Sequence, residues 1–302
     1  MTESKKHIPR RGLLFGTVAL AVCLLLLAAV AVPAPAATIA YWQFEEGPVD
    51  TQTAVYQGDW FLDSSGNGNH MWTWADTTAP TYRSDVPFAT VPQTGAANDL
   101  SLQFTPNQDN YTFAKPINTY SFGQLTVEAS VKVNSLDGYQ VFVGKDGKPV
   151  ASEAFPPMFV KFLDHNDLFE VMMIDASGVP RLTWSDFAPT VGEWYNLALV
   201  NDGSTMRFFI KGPGDTQYVE QGSPVAVSGG ALIDSDGSWT VGRGMWDNGI
   251  ADWINGSVDE VRVSDVALAP SEFLGVPEPS TLASACLGLL LLTAVAAWRR
   301  RS

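Results

Sequence analysis

The chain has 302 residues and a formal net charge of −14, and apolar stretches at both ends leave roughly residues 38–275 for a folded body. That body carries 30 acidic and 11 basic side chains, a net charge of −19, which repels phosphate backbones and excludes nucleic acid as a partner. Its length fits one domain. Both cysteines, Cys23 and Cys286, fall in the terminal stretches, so we expect neither disulfides nor thiol chemistry in the body.

The first 37 residues have the organisation of a secretory signal peptide. Four basic residues among the first eleven precede the apolar run Leu13–Val32. Ala34-Pro35-Ala36 then supplies the small side chains that a signal peptidase needs, so cleavage is expected near residue 36 or 37. The pair Arg10-Arg11 is compatible with twin-arginine export as well as with an ordinary basic leader.

The body alternates apolar and polar residues in many short segments. Between residues 125 and 133, valine and alanine occupy every second position, which is the period of a half-buried strand. Only Pro270–Leu274 suggests a helical turn, and residues 76–98 are expected to form a surface loop. Further strands are predicted at Tyr139–Gly144, Met158–Leu163, Leu168–Ile174, Trp194–Val200, Met206–Lys211, Trp239–Val241 and Val258–Val263.

Five segments of the body resemble, in order, the LamG-like jelly-roll family of concanavalin A-like folds. The resemblance covers nearly all of residues 38–275. It implies an all-β fold, an antiparallel two-sheet jelly-roll sandwich. The segments are the opening strand Ala40–Gly47, the turn Asp63–His70, the central strand Leu125–Lys132, the hairpin Trp194–Gly212, and the closing strand Gly256–Val263 with the short helix Ala267–Glu272.

Residues 276–302 end the chain with a tripartite tail. Pro277-Glu278-Pro279 precedes the apolar run Thr281–Trp298, and three arginines follow it. The run is near the lower limit for a membrane-spanning helix, and the arginines favour a cytoplasmic end. This order resembles the PEP-CTERM sorting signal, which implies recognition by an exosortase in a Gram-negative bacterium. The resemblance also implies an inner-membrane-anchored precursor, cleavage near Pro277, and delivery to the cell surface or extracellular matrix. The alternative is a plain single-pass tail anchor.

Carboxylates at three places suggest a calcium site. Strict alternation puts Asp259 on the face of Val261, and a carboxylate on a core face needs a cation, an arginine or backbone donors. In the opening strand, the same alternation puts Glu46 on the expected core face, where its carboxylate needs the same kind of partner. The glycine-rich turn adds Asp63 and Asn67, or alternatively Asn69. Calcium prefers such oxygen ligands. The alternative is that Asp63 only caps its turn and that Asp259 pairs with backbone donors or an arginine.

The ten tryptophans favour a sugar-binding surface, because aromatic faces stack on sugar rings while polar neighbours read hydroxyl groups. Strand patterns place Trp42, Trp194 and Trp239 in the expected core. The alternative for the remaining tryptophans is packing beneath a long loop. The candidate ligand-binding residues are Trp72, Trp74, Trp246, Asp247, Asn248 and Trp253.

Sequence patterns of catalysis are weak. Retaining glycosidases of this sandwich class carry two glutamates around an aspartate on one strand, and no such motif occurs here. Neither body histidine, His70 or His165, has a recognisable serine or cysteine partner. The sequence therefore predicts a non-enzymatic surface or matrix protein that binds a glycan or another surface protein. Two alternatives stay open, namely a structural adhesion component without a small ligand and a divergent glycoside hydrolase or lyase.

Overall fold

The computed structural model describes residues 38–58, 60–74, 78–106, 111–114, 122–147, 156–228, 230, 237–247 and 249–278. All of them belong to one compact unit that starts at residue 37. Within these ranges no helix is long and apolar enough to cross a membrane. The apolar runs Leu13–Val32 and Thr281–Trp298 lie outside the described residues.

The described residues form an antiparallel β-sandwich, which confirms the predicted fold class. The only described helix is a 3₁₀ turn at Pro270–Glu272, inside the predicted helical turn. The strands are β1 Thr38–Trp42, β2 Trp72–Trp74, β3 Thr81–Arg83, β4 Ser101–Phe104, β5 Tyr111–Ala114, β6 Leu125–Val133, β7 Gln140–Lys145, β8 Met158–Leu163, β9 Leu168–Ile174, β10 Pro180–Trp184, β11 Trp194–Asn201, β12 Thr205–Lys211, β13 Val219–Ala226, β14 Trp239–Val241, β15 Gly244–Trp246, β16 Gly249–Ala251 and β17 Gly256–Ser264.

The first sheet has β6 and β17 at its centre. Its order is β13-β12-β11-β6-β17-β4-β3, and β1 also pairs with β17. The first residues of β17 pair with β4 and its last residues pair with β1, so both strands share one edge of β17. The predicted hairpin is confirmed as β11–β12, whose turn is fastened by Asp202, since Oδ1 of this side chain accepts the Thr205 backbone N–H at 2.7 Å.

The second sheet has the order β10-β9-β8-β7-β14-β5-β2, and the small hairpin β15–β16 packs beside β7. Side chains from the inner faces of both sheets form one hydrophobic core. Val127, Val131 and Val261 are fully buried in it, as the alternation predicted. Trp42 and Trp239 belong to the same core, which confirms their expected role.

The outer face of the first sheet is polar but covered. Thr126, Glu128 and Ser130 of β6 point away from the core, and they are nevertheless buried. The segment 84–100, expected as a surface loop, lies over this face and buries Val91 against Tyr41 and Leu274. Its N-terminal neighbour β3 also belongs to the sheet, so residues 76–98 are only partly loop.

The closing segment, residues 270–276, completes this cover. Leu274 N donates to Glu128 Oε1 at 2.7 Å, and Arg262 donates from Nε to Glu128 Oε2 at 2.6 Å. Arg262 also donates to the Glu272 backbone carbonyl at 2.7 Å. Phe273 is fully buried. The chain is therefore fastened to the two central strands up to a few residues before the predicted sorting motif.

Candidate functional site

A row of side chains crosses the outer face of the second sheet. The strand register places Lys161 opposite Glu170 and Glu170 opposite Trp184. Tyr139, just before β7, extends the row, since Lys161 Nζ lies 5.1 Å from the centre of its ring. Because neighbouring strands lie about 4.8 Å apart, the row spans roughly 14 Å from Tyr139 to Trp184. We call these four residues the aromatic row.

The ends of the aromatic row are exposed and its middle is enclosed. Trp184 is 45% exposed and Tyr139 41%. Between them Lys161 Nζ lies 3.6 Å from Glu170 Oε1, and the two side chains are only 8% and 12% exposed. Two exposed aromatic rings thus flank a compensated charge pair. Such a surface can stack against flat apolar faces at two points without presenting a net charge.

Charged and hydrogen-bonding groups lie in and around the aromatic row. Burial raises the pKa of Glu170, and the positive charge of Lys161 opposes that rise. Burial likewise raises the pKa of Asp252, again opposed by Lys161. At the Tyr139 end of the row, the Tyr139 hydroxyl lies 3.3 Å from His165 Nδ1. The Tyr139 end of the row therefore combines an aromatic ring with hydrogen-bonding groups.

The hairpin β15–β16 lies next to the aromatic row and carries part of the predicted sugar site. The Val141 backbone N–H donates to the Asp252 carbonyl at 2.8 Å, which fixes the hairpin's exit beside β7. Trp246 is 53% exposed, and Asp247 follows it in a left-handed conformation with φ of 45°. Trp253 is half-buried. The structure thus brings Trp246, Asp247 and Trp253 to the side of the sandwich that bears the aromatic row.

The other predicted sugar-binding residues lie elsewhere or are not described. Trp72 is 38% exposed and stands in β2, at the opposite edge of the second sheet from β10. Trp72 is therefore a strand residue. The side chain of Trp74 and the whole of Asn248 lie outside the described residues.

Trp184 was not among the residues that the sequence predicted for the site. Leu182 and Trp184 alternate with Arg181 and Thr183 in β10, so the two-residue period of a strand is visible in the sequence. Alternation alone does not say which set faces the solvent. In the structure the two apolar side chains face outward, and Thr183 is buried.

Asp63 caps the turn of residues 63–70, as the alternative to calcium proposed. Its Oδ1 accepts the backbone N–H groups of Tyr41 and Ser65, both at 2.9 Å. Its Oδ2 accepts the Ser65 hydroxyl at 2.8 Å and the Asn69 backbone N–H at 2.9 Å. Asn67 Nδ2 donates to the Thr38 carbonyl at 2.8 Å. Both predicted ligands are thus engaged in holding the turn to β1.

Glu46 is enclosed near the end of the opening segment. Its Oε1 accepts the Leu62 backbone N–H at 2.8 Å, while its buried Oε2 has no hydrogen-bond partner. Burial raises the pKa of Glu46 to about 7. Calcium binds carboxylates, so burial, which favours the protonated form of Glu46, disfavours this group as a resident ligand.

The predicted orientation of Asp259 is wrong, because a β-bulge interrupts β17. Asp259 pairs with Ser130 and Arg262 with Glu128, so one extra residue is inserted between them. Glu260 has a left-handed φ of 51° within this bulge. Val258 and Val261 therefore both reach the core, and Asp259 lies on the outer face beneath segment 84–100.

Asp259 and Glu260 form a buried acidic pair. Asn98 Nδ2 donates to Asp259 Oδ2 at 2.9 Å, and the Tyr41 hydroxyl donates to Glu260 Oε2. Burial and the neighbouring Glu260 carboxyl raise the pKa of Asp259 well above its ordinary value. Burial also raises the pKa of Glu260 to about 8. Two such close carboxyls do not ionise together readily, which favours a proton on the pair at neutral pH.

The four residues predicted to bind calcium do not form one donor set. Asp63 and Asn67 hold a turn, Glu46 lies beside Leu62, and Asp259 lies under segment 84–100. Across the described ranges, no three histidine, cysteine, aspartate or glutamate side chains are placed to hold a metal ion together. These residues do not fit the ion, and calcium binding by this protein stays a prediction.

The fold and the sorting tail define an exported protein with a jelly-roll sandwich. Residues 105–273, a little over half of the chain, match the family model described as the concanavalin A-like lectin/glucanases superfamily. The chain belongs to that superfamily, and the resemblance found in the sequence is confirmed. No curated protein sequence gave a significant match.

Two solved domains of other proteins superpose on this chain. The binding domain of botulinum neurotoxin serotype G superposes with a TM-score of 0.50 at 12% identity, covering 78% of this chain and 49% of that one. This chain therefore spans about half the length of that domain. Domain 4 of AbnA, an extracellular arabinanase from Geobacillus stearothermophilus solved with arabinotriose, gives a TM-score of 0.49 at 18% identity and covers 78% of this chain and 96% of that domain.

Residues 275–301 match the PEP-CTERM protein-sorting motif, which confirms the interpretation of the tail. The motif indicates export and sorting to the cell surface, and it implies processing by an exosortase. Pro277 and Glu278 are described, whereas Pro279 and the residues after it are not.

Proposed function

We propose that this chain is a non-enzymatic protein of the cell surface or extracellular matrix that binds a glycan through the aromatic row. The observation that carries the proposal is the pair of exposed rings, Trp184 and Tyr139, at the two ends of a charge-compensated row on one sheet. Exposed aromatic side chains offer a large contact area at a low cost in conformational entropy. The roughly 14 Å span suits several sugars of a chain better than a single sugar.

Two further features support the proposal. The sorting motif directs the protein toward the surface, where polysaccharides are abundant potential ligands. Trp246 and Asp247 stand on the neighbouring hairpin and can extend the contact beyond Tyr139. The acidic surface, with a net charge of −19 over residues 38–275, favours neutral over anionic glycans.

A binding role is favoured over hydrolysis by the state of the row's carboxylate. Glycoside hydrolysis needs two carboxyl groups facing the glycosidic bond, one as acid and one as base or nucleophile. Glu170 is instead enclosed and paired with Lys161 at 3.6 Å. A carboxylate that is held in an ion pair and kept from solvent is poorly placed to attack a sugar or to accept a proton from water.

A glycan array probed with the full chain in detergent tests this function. We expect binding to neutral polysaccharides that falls about tenfold or more in Trp184→Ala, because stacking is lost, and that Trp184→Phe largely restores. Val219→Ala is the control, since Val219 is an apolar residue on the other sheet that is at least as exposed as Trp184.

Four outcomes would contradict the proposal. One is an array without binding to any glycan, and another is binding that is indifferent to Trp184→Ala. The third is release of reducing ends from a bound polysaccharide, which would move the assignment to a hydrolase. The fourth is capture of a surface protein in place of a glycan, which would leave the localisation correct and the ligand class wrong.

A further inference from the structure

A concavity lies on the opposite side of the sandwich from the aromatic row. It has a volume of about 360 Å³ and opens on the outer face of the first sheet, where β11 begins and β12 ends. The segment around Asp85 forms one wall, and the loop after Lys211 forms another. The volume is at the lower end of the range for sites that bind small molecules. Its principal side chains are Asp85, Glu193, Trp194, Asn196, Lys211 and Asp215.

Trp194 forms part of this wall and is fixed in place. It was expected in the core, but it lies on the outer face of β11, opposite Lys132, and is only half-buried. Its Nε1 donates to Asp85 Oδ1 at 3.0 Å. Lys132 pairs with Asp85 through Oδ2, and Lys132 Nζ lies 5.3 Å from the centre of the indole. An aromatic ring held on two sides in this way keeps its orientation before any ligand arrives.

The polar groups of the cavity include both donors and acceptors. Asn196 Oδ1 accepts the Ser130 hydroxyl at 2.8 Å, which orients the amide, and no described residue accepts a hydrogen bond from its Nδ2. Lys211 Nζ donates to the Gly275 carbonyl at 2.9 Å. Asp215 Oδ2 accepts the Gly212 backbone N–H at 2.9 Å, which leaves Oδ1 for another donor.

The charges of the cavity nearly cancel. Three carboxylates, those of Asp85, Glu193 and Asp215, meet the ammonium groups of Lys132 and Lys211. The local sum is −1, so neither a polyanion nor a strongly cationic ligand is favoured. Hydroxyl groups both donate and accept hydrogen bonds, and carboxylates and amides can serve them on both counts. A fixed indole beside such groups suits the apolar face and the hydroxyl rim of one sugar ring.

We propose that this cavity binds a single neutral sugar unit, such as the terminal or branching residue of a glycan. The unit packs against Trp194, its hydroxyls donate to Glu193 and Asp215, and it accepts a hydrogen bond from Asn196. This site is independent of the aromatic row, because it lies on the other sheet and shares no residue with it. A domain with both sites binds two separate points on surface polysaccharides.

Saturation-transfer NMR with free D-glucose, D-galactose, D-mannose and N-acetylglucosamine tests the site on the full chain in detergent. At least one sugar should show saturable transfer, and the fitted Kd should rise about tenfold in Trp194→Ala and in Glu193→Ala. Trp194→Phe keeps a ring in place and should change Kd only a few-fold. Trp184→Ala on the other sheet should leave the monosaccharide signal unchanged, so a failure of the aromatic row does not affect this test.

The proposal is overturned if none of the four sugars gives saturable transfer. It is equally overturned if the Kd is the same in Glu193→Ala and in the wild type. It is also overturned if the NMR signals of the cavity residues shift only on addition of calcium chloride or of a cationic probe such as arginine methyl ester. Glu193 is exposed and has no described ion pair, so Glu193→Ala decides the matter even if Trp194→Ala does not fold.

Discussion

Asp259 and Glu260 are adjacent acids buried on the outer face of β17, and their surroundings do not neutralise them fully. Tyr41 and Asn98 each give one hydrogen bond, and the Glu260 backbone N–H donates to Asp259 Oδ1 at 2.9 Å, while Glu260 Oε1 and Asn98 Oδ1 are buried without a partner. A protein can hold such a pair by keeping a proton on it or by recruiting a cation. The two cases differ in how stability depends on pH.

The proton-holding case predicts that the protein is less stable at alkaline pH. The folded-state pKa of Glu260, about 8, is above the ordinary glutamate value, so the folded state binds a proton that the unfolded chain releases. This stabilising contribution is fully present below the unfolded pKa and is lost as the pH rises through about 8. We expect Tm to fall by about 10 °C between roughly pH 5 and pH 9, and Glu260→Gln to reduce that fall. Differential scanning calorimetry measures both.

The same scan with millimolar calcium tests the calcium prediction. A bound ion would compensate the ionised pair and remove the loss of stability at high pH. Equal Tm values with and without calcium at every pH would rule out the ion at this pair. A wild-type Tm that does not fall toward alkaline pH would instead show that the pair is not protonated.

At the scale of elements, one ion pair joins β6, β17 and the closing segment. Glu128 on β6 and Arg262 on β17 face each other on the covered side of the first sheet, and the Glu128 side chain is 2% exposed. Glu128→Ala leaves Arg262 buried without its carboxylate and frees the Leu274 N–H, so we expect a loss of about 3–5 kcal/mol in urea unfolding. The control is Glu220→Ala, which breaks the exposed Arg207–Glu220 pair and should cost under about 1 kcal/mol. Similar losses in both variants would contradict this assignment.

The strands that the sequence predicted well are those with a regular period. β8 and β9 have the predicted bounds, because every second side chain along each strand is apolar and lies in the core. β13 was not predicted, since it is a largely exposed edge strand that contains Gly222 and Pro224. The bulge at Glu260 was also not predicted, because it depends on pairing with β6 and on a left-handed φ, neither of which an alternation pattern contains.

The candidate site was predicted only in part for a similar reason. Trp246 and Asp247 were recognised from composition, and their hairpin lies beside the aromatic row. Trp184 and Trp194 both stand in regular strands, where the period alone does not decide between core and solvent, and the expectation that Trp194 lies in the core was wrong. The strand register decides it, and the register involves residues distant in sequence.

For the whole molecule, the two proposed sites lie on opposite outer faces of the sandwich. We therefore expect the full chain to cross-link a soluble neutral polysaccharide that it binds, raising light scattering as protein is added. Trp184→Ala and Trp194→Ala should each abolish this rise while retaining the binding of the other site. Scattering that persists in a variant lacking one site would indicate that self-association, and not a two-site domain, joins the chains.

The fastening of the closing segment also has a mechanical consequence. Residues 270–276 are held by Glu128 on β6 and Arg262 on β17, and these are the two central strands of the first sheet. The sorting motif follows directly at Pro277. A pull on the tail therefore enters the sandwich at its most firmly paired strands instead of peeling an edge strand. A protein attached to a surface through such an end can bear tension from bound polysaccharide without unravelling from its point of attachment.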